Sequence, residues 1–275
     1  MAEIVGGFLM AHDPLAAADP GLADPEQCKN VMAAYDEIAR RLKALEVDTV
    51  VTVGDDHYHM FGPNCVPRCL IGVGDVEGPL EDWLGIERRP VPNNQPLAEH
   101  IVRMGFADGI DWSVAKTLIV DHAAMIPIHF VIDPDSGVRT IPVYLNACVE
   151  PFISSQRAAE IGASIRRAVQ SWPGDERVAV FGTGGISHWV GSAEMGRVNE
   201  EFDQKILSFA AAGDIDSLLA LSDETILEEG GNGALEIKNW ICAMAALPGY
   251  RADVIAYEPI PQWICGCGFA ELRAA

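Results

Sequence analysis

Short runs of β-branched residues alternating with longer stretches of helical spacing constrain this chain most, because only a few layered architectures accept that order. The runs predicted as strands are 3–9, 49–53, 68–73, 117–120, 140–145, 177–181 and 253–257. Between them, 25–45 carries Val31, Ala34, Ile38 and Leu42 at helical spacing, and 97–104, 154–170 and 196–212 read the same way. From 195 to 247 the pattern is almost wholly helical, with further segments at 215–221, 223–229 and 234–246. The expected fold class is α/β. A three-layer α/β/α arrangement with a central mostly parallel or mixed sheet and a helical C-terminal third places ligands outside the carboxyl ends of the strands. With 275 residues, 49% of them apolar, and no repeat or long linker, 1–275 is expected to form a single domain.

Charge removes one class of partner. Forty acidic against 19 basic residues give a formal charge of −21, the wrong sign for affinity gained by neutralising phosphates, so nucleic acid is excluded. The N-terminus MAEIVGGFLMAHDP carries Glu3 and no basic segment, and no apolar run approaches the roughly 18 residues of a membrane span. A cytoplasmic protein with no membrane partner is the expectation. Seven irregularly spaced cysteines argue for reduced thiols rather than a disulfide framework. Cys265-Gly-Cys267 has neither the C-x2-C spacing nor the second pair of a zinc ribbon and reads as close packing of small residues. Gly230-Gly231-Asn232-Gly233 lacks the Lys-Ser/Thr of a phosphate loop and reads as a flexible entry to a helix.

The chemistry gathers at histidines just beyond predicted strands: His12, His57 and His188, with His122 following the strand at 117–120. One such histidine is more often a loop residue near the surface, but several at equivalent places suggest a site. His59 stands two residues after His57, so an extended 56–59 would point both rings to one side and make a His-x-His metal pair. His100, in a helical pattern, and His129, in an apolar run, are assigned to structure. A carboxylate is offered by Glu236, one turn before Trp240 and beside Leu235, Ile237 and Ile241. A charge on that apolar face is costly unless paired or coordinated, although a first-turn acid favoured by the helix dipole is the bland alternative. Two neutral imidazoles and one carboxylate on one face form the facial triad of non-haem Fe(II) oxygenases, which leaves three adjacent positions open. A catecholate fills two of them and O2 the third.

Five segments carry a resemblance: Ala11-His12-Asp-Pro14, Gly54-Asp-Asp-His57-Tyr58, Asp121-His122 with Ile126-Pro127, Gly182-Thr-Gly-Gly-Ile-Ser-His188, and Gly233-Ala-Leu-Glu236 with Trp240. On these the chain resembles the class III (LigB-type) extradiol dioxygenases, whose best-known member type is the β subunit of protocatechuate 4,5-dioxygenase. The stretch 182–188 is the most specific. The resemblance implies one catalytic domain, Fe(II) as cofactor and O2 as co-substrate. It also implies His12, His57 and Glu236 as iron ligands, His188 as the acid/base, and His122 as a second-shell or substrate-contacting histidine. The substrate it implies is a small aromatic diol, and the assembly a homodimer or a complex with a small helical subunit.

This chain departs from the family pattern at Asp55-Asp56, where many members have Asn before the Asp-His pair, and at the extra His59; residues beyond Pro248 diverge. Tyr58 and His59 are the expected substrate contacts. A carboxylated substrate would need a local cation, for which the candidates are Arg68, Arg88, Arg89, Arg139 and Lys238. Two readings compete with the dioxygenase: a Zn-dependent hydrolase on the same His/Glu site, and a metal-free binding relative. An intradiol enzyme with tyrosinate ligands is disfavoured because the five tyrosines form no site motif.

Overall fold

The computed structural model of the chain describes residues 1–62 and 64–274. In chain order its elements are β1 (Glu3–Met10), α1 (Leu15–Ala18), α2 (Pro25–Ala44), β2 (Thr49–Asp55), β3 (Cys69–Gly78), β4 (Arg89–Pro90), α3 (Gln95–Ala107), β5 (Ser113–Ile119), α4 (His122–Val131), β6 (Arg139–Leu145), α5 (Ser155–Ser171), β7 (Arg177–Thr183), α6 (Glu200–Ala212), α7 (Ile215–Leu219), α8 (Asp223–Gly230), α9 (Ile237–Ala246), β8 (Tyr250–Ile260) and β9 (Cys265–Ala274). The strands form one nine-stranded mixed sheet in the order β4-β3-β6-β2-β7-β1-β9-β8, with β5 added to β3. Its centre, β6-β2-β7-β1, is parallel. Antiparallel pairs flank it, β3 beside β6 on one side and the β8–β9 hairpin against β1 on the other.

Period-two alternation puts the central strands between two helical layers. Phe8, Met10, Val50, Ala179 and Phe181 point to one face, where α2 and α4 cover them. Leu9, Val51, Val53, Val178 and Val180 point to the other, beneath α5 and α9. Phe8 and Phe181 meet edge to face at 5.9 Å, the geometry their quadrupoles favour. Each large apolar side chain removed from water here contributes about 1.5–3 kcal/mol. Helix α2 begins where Asp24 accepts from the backbone N–H of Glu26 and Gln27 with Pro25 at the first helical position, and it buries Val31, Ala34, Tyr35, Ile38 and Leu42. Helices α5 and α9 cross so closely that a Cβ on Gly162 would overlap the carbonyl of Cys242. This contact fixes the height of α9 above the sheet. Among the described residues no helix is long and apolar enough to cross a membrane.

Two elements lie outside those the sequence pattern predicts. Residues 122–131, to which the sequence pattern assigns no element, are helical; Asp121 caps the helix, and burial on nearly every side erases an amphipathic stripe. The second difference is β9, whose Cys-Gly-Cys-Gly alternation lacks β-branched residues. It reflects packing instead: Cys265 and Cys267 face the α2 layer, whereas a Cβ on Gly266 or Gly268 would collide with Asp203 or Trp240.

Candidate metal centre and its cavity

Strands β1, β7 and β2 are neighbours, so the loops leaving their carboxyl ends converge. His12 lies two residues beyond β1 and His57 two beyond β2, while His188 follows β7 by five. Glu236 ends a 3-10 turn, Gly233–Glu236, at the entrance to α9. The carboxylate Oε1 of Glu236 stands 3.0 Å from His57 Nε2 and 3.3 Å from His12 Nε2. Ligands bound at right angles at about 2.1 Å from one metal ion are about 3 Å apart, so these separations suit a shared ion.

Hydrogen bonds fix which atom of each ring faces that point. Thr183 Oγ1 lies 3.1 Å from the carbonyls of Val53 and Ala123, which can only accept, so its single proton goes to one of them. Toward His12 Nδ1, 3.0 Å away, Thr183 therefore accepts; Nδ1 carries the proton and Nε2 keeps its lone pair. His12 Nε2 is buried without a hydrogen-bond partner, the condition of an atom awaiting a cation. His57 Nδ1 donates to Asp121 Oδ2 at 3.3 Å, and the other oxygen of Asp121 accepts from Tyr144 OH and Ala123 N–H. Glu236 Oε2 accepts the Gly185 N–H at 2.7 Å, leaving Oε1 for the centre. Carboxylate–histidine–metal relays of this kind orient ligands in metalloenzymes. Replacing Thr183 with Val should therefore weaken divalent-ion affinity roughly 10- to 100-fold, with Thr183→Ser close to native. Competition against a chromogenic chelator measures it, and equal affinities in all three proteins would remove Thr183 from the site's support.

The electrostatics follow from burial among opposite charges. Burial opposes ionisation of Glu236, but the His12 and His188 imidazoles beside it outweigh burial and hold the carboxyl well below its ordinary value. Burial also disfavours charge on His57, yet Asp55, Asp121 and Glu236 raise its pKa well above the usual imidazole range. Burial, and then the neighbouring His57, push His122 down to about 4. Its Nδ1 donates to Glu81 Oε1 at 2.6 Å, so the neutral ring offers Nε2 as an acceptor. His188 Nδ1 donates to the Ile186 carbonyl at 3.3 Å, and its Nε2 stands 3.4 Å from Glu236 Oε1. The ring occupies space that a Cβ on Gly233 would fill, and Gly231 (φ +92°) packs on the His188 carbonyl, so the expected flexible entry is a fitted wall.

Of the expected substrate contacts, His59 lines the cavity, 3.7 Å from Glu81 and apart from Glu236. Tyr58 takes φ +61°, which breaks the extended run, and its half-exposed ring is not among the lining residues. Asp55 is fully buried, with Oδ1 accepting from Asn239 and Oδ2 4.0 Å from His57 Nε2; burial first, then Glu236, raise it to about 6. Sequence reasoning gave no role to Glu81 or Thr183. Glu81 lies in the loop between β3 and β4, far along the chain from the histidines it serves, and no motif signals it. The cavity above the cluster is about 410 Å³ and includes His12, His57, His122, His188 and Glu236 in its lining. A larger cleft of about 690 Å³, along Gly74, Asn93 and Thr117, holds no such convergence, and the chemistry rather than the volume marks the site.

Comparison with known proteins gives three findings. Residues 6–269 match the family model described as the catalytic LigB subunit of aromatic ring-opening dioxygenase. Enzymes named 2,3-dihydroxyphenylpropionate/2,3-dihydroxicinnamic acid 1,2-dioxygenase are similar over nearly their whole length. The Rhodococcus sp enzyme is 25% identical over 94% of this chain and 95% of its own. That of Klebsiella pneumoniae strain 342 is 26% identical with the same coverage. An uncharacterized protein of Escherichia coli K12 shares the fold, with a TM-score of 0.58 at 11% identity, over 98% of this chain and all of its own.

Proposed function

Because the chain belongs to the LigB family of catalytic subunits of aromatic ring-opening dioxygenases, we propose that it is an extradiol dioxygenase, one catalytic domain holding a single non-haem Fe(II) through His12, His57 and Glu236. Its substrates are a catechol-type diol and O2. The observation that carries this reading is the convergence of two imidazole Nε2 atoms and one carboxylate oxygen, each with its other polar atom already engaged. Two nitrogens and one anionic oxygen are the donor set of non-haem Fe(II) oxygenases. The family match favours it over a Zn hydrolase. Held by His12, His57 and Glu236, Fe(II) would supply adjacent open positions for a catecholate and O2 and a route for electron density between them.

The chain's own residues do the rest. His122, neutral and with Nδ1 committed to Glu81, presents Nε2 to accept or hold a proton from a diol hydroxyl. His188 sits beside the cluster with Nδ1 held by a carbonyl, so its Nε2 is the atom that takes a proton as the diol binds and returns it as the ring opens. The buried carboxylates Asp121 and Glu81 keep the His57 and His122 rings, respectively, in their tautomers. The dihydroxyphenylpropionate relatives support a diol substrate of comparable size. Anaerobic reconstitution with Fe(II), followed by air and a panel of catechols, should give O2 uptake equal to catechol consumed and a yellow ring-opened product. Loading with Zn(II) should give neither. Turnover without O2 would sink the proposal.

A further inference from the structure

The diol binds at the centre, but the cavity wall decides what else the ring can carry. Large apolar residues exposed singly on a surface need no explanation. Here Trp83, Val190 and Met195, about half exposed at 52%, 49% and 56%, all line this one cavity, with Leu15 and Trp263 also in its wall. An apolar rim around a concave site marks a ligand surface. Among the described lining residues there is no Lys or Arg.

None of the candidate cations Arg68, Arg88, Arg89, Arg139 and Lys238 is among the lining residues, and several are engaged elsewhere. Lys238 is buried with Asp223 at 2.8 Å. Arg139 opens β6 at the opposite end of the sheet, beside Asp48 and Glu176. Arg88 donates to the carbonyls of Pro79 and Leu80, and Arg197, two residues from Met195, stacks on Trp189 and pairs with Glu194. Asp13 and Glu236 line the cavity together with the histidines of the cluster, and His59 already faces Glu81. A carboxylate entering the apolar part of this wall loses its hydration with no Lys or Arg to replace it, inside a chain of net charge −21.

Resting on the dioxygenase reading, we propose that the diol ring cleaved here carries a bulky, uncharged, apolar substituent, an aryl or alkyl group, in place of the carboxylate that names the relatives' substrates. The test uses the full chain loaded with Fe(II) and three probes: 3-propylcatechol, 3-phenylcatechol and 3-(2,3-dihydroxyphenyl)propionate. The uncharged probes should exceed the propionate in kcat/KM, and in anaerobic binding affinity, by roughly 10- to 100-fold, the discrimination expected when a charge is buried unpaired. Met195→Arg, which sets a cation at the rim, should shift the ratio toward the propionate by about tenfold. A propionate bound and cleaved as well as its uncharged analogues overturns the inference while leaving the dioxygenase intact. If no catechol is opened, the dioxygenase reading fails, and the anaerobic binding order still decides this one.

Discussion

Glu236→Gln should yield a folded protein that retains less than about a tenth of the iron of the native chain and has no measurable ring-cleaving activity. The substitution does more than neutralise a ligand. Oε2 of Glu236 accepts the Gly185 N–H, and in a glutamine only the amide oxygen can keep that bond. The NH2 group then takes the place of Oε1 and turns two donor hydrogens toward His12 Nε2 and His57 Nε2, 3.3 and 3.0 Å away. A ligand atom is thus exchanged for a hydrogen-bond donor, and affinity for a divalent ion should fall by more than about 100-fold. Metal analysis after gel filtration, with circular dichroism to establish the fold, measures it. Equal iron content and turnover would return Glu236 to the role of a helix-entry acid.

The second large effect is expected at His188. His188→Phe should keep Fe(II) and still bind catechol, yet lose roughly 10²- to 10⁴-fold in kcat, the usual worth of a positioned acid/base. A phenyl ring fits the space that Gly233 leaves beside the imidazole, so the surrounding wall is preserved. The His12 and His57 ring nitrogens that face the centre are untouched, so iron should stay. Single-turnover kinetics on anaerobically loaded protein mixed with O2 separates the chemical step from binding. Iron loss would make His188 a ligand, and an unchanged kcat would pass proton transfer to His122 or solvent.

The parts of this molecule that were legible in the sequence are those set by local spacing. The central strands show as β-branched runs, α2 as a 3.6-residue stripe, and His12, His57 and His188 stand directly past strand ends, where α/β folds collect ligands. Glu236 could be singled out because an acid amid Leu235, Ile237 and Ile241 needs a reason. The supporting groups were opaque because their role exists only across the fold. Glu81 meets His122 over 41 residues of chain and Thr183 meets His12 over 171; Glu81 lies in no motif, and the 182–188 segment that contains Thr183 carries no sign of its partner. Helix α4 and strand β9 have no legible type in the sequence for a related reason: burial on nearly every side removes the periodicity from which type is read. Tyr58 was assigned by adjacency to His57, and a single left-handed backbone angle separates the two.

The proton inventory of the cluster has a consequence for how such a protein acquires its metal. In the apo chain, carboxylates raise the pKa of His57 well above the usual range, and Glu236 raises that of His188 despite its burial. Protons therefore supply the positive charge that these buried carboxylates require when no ion is present. Loading is then an exchange of cations rather than the filling of a void: the incoming ion must evict a proton from His57, and His188 loses the charge that favoured its own. Affinity for the metal climbs with pH as those imidazoles give up their protons, and acid competes with iron for the same seat.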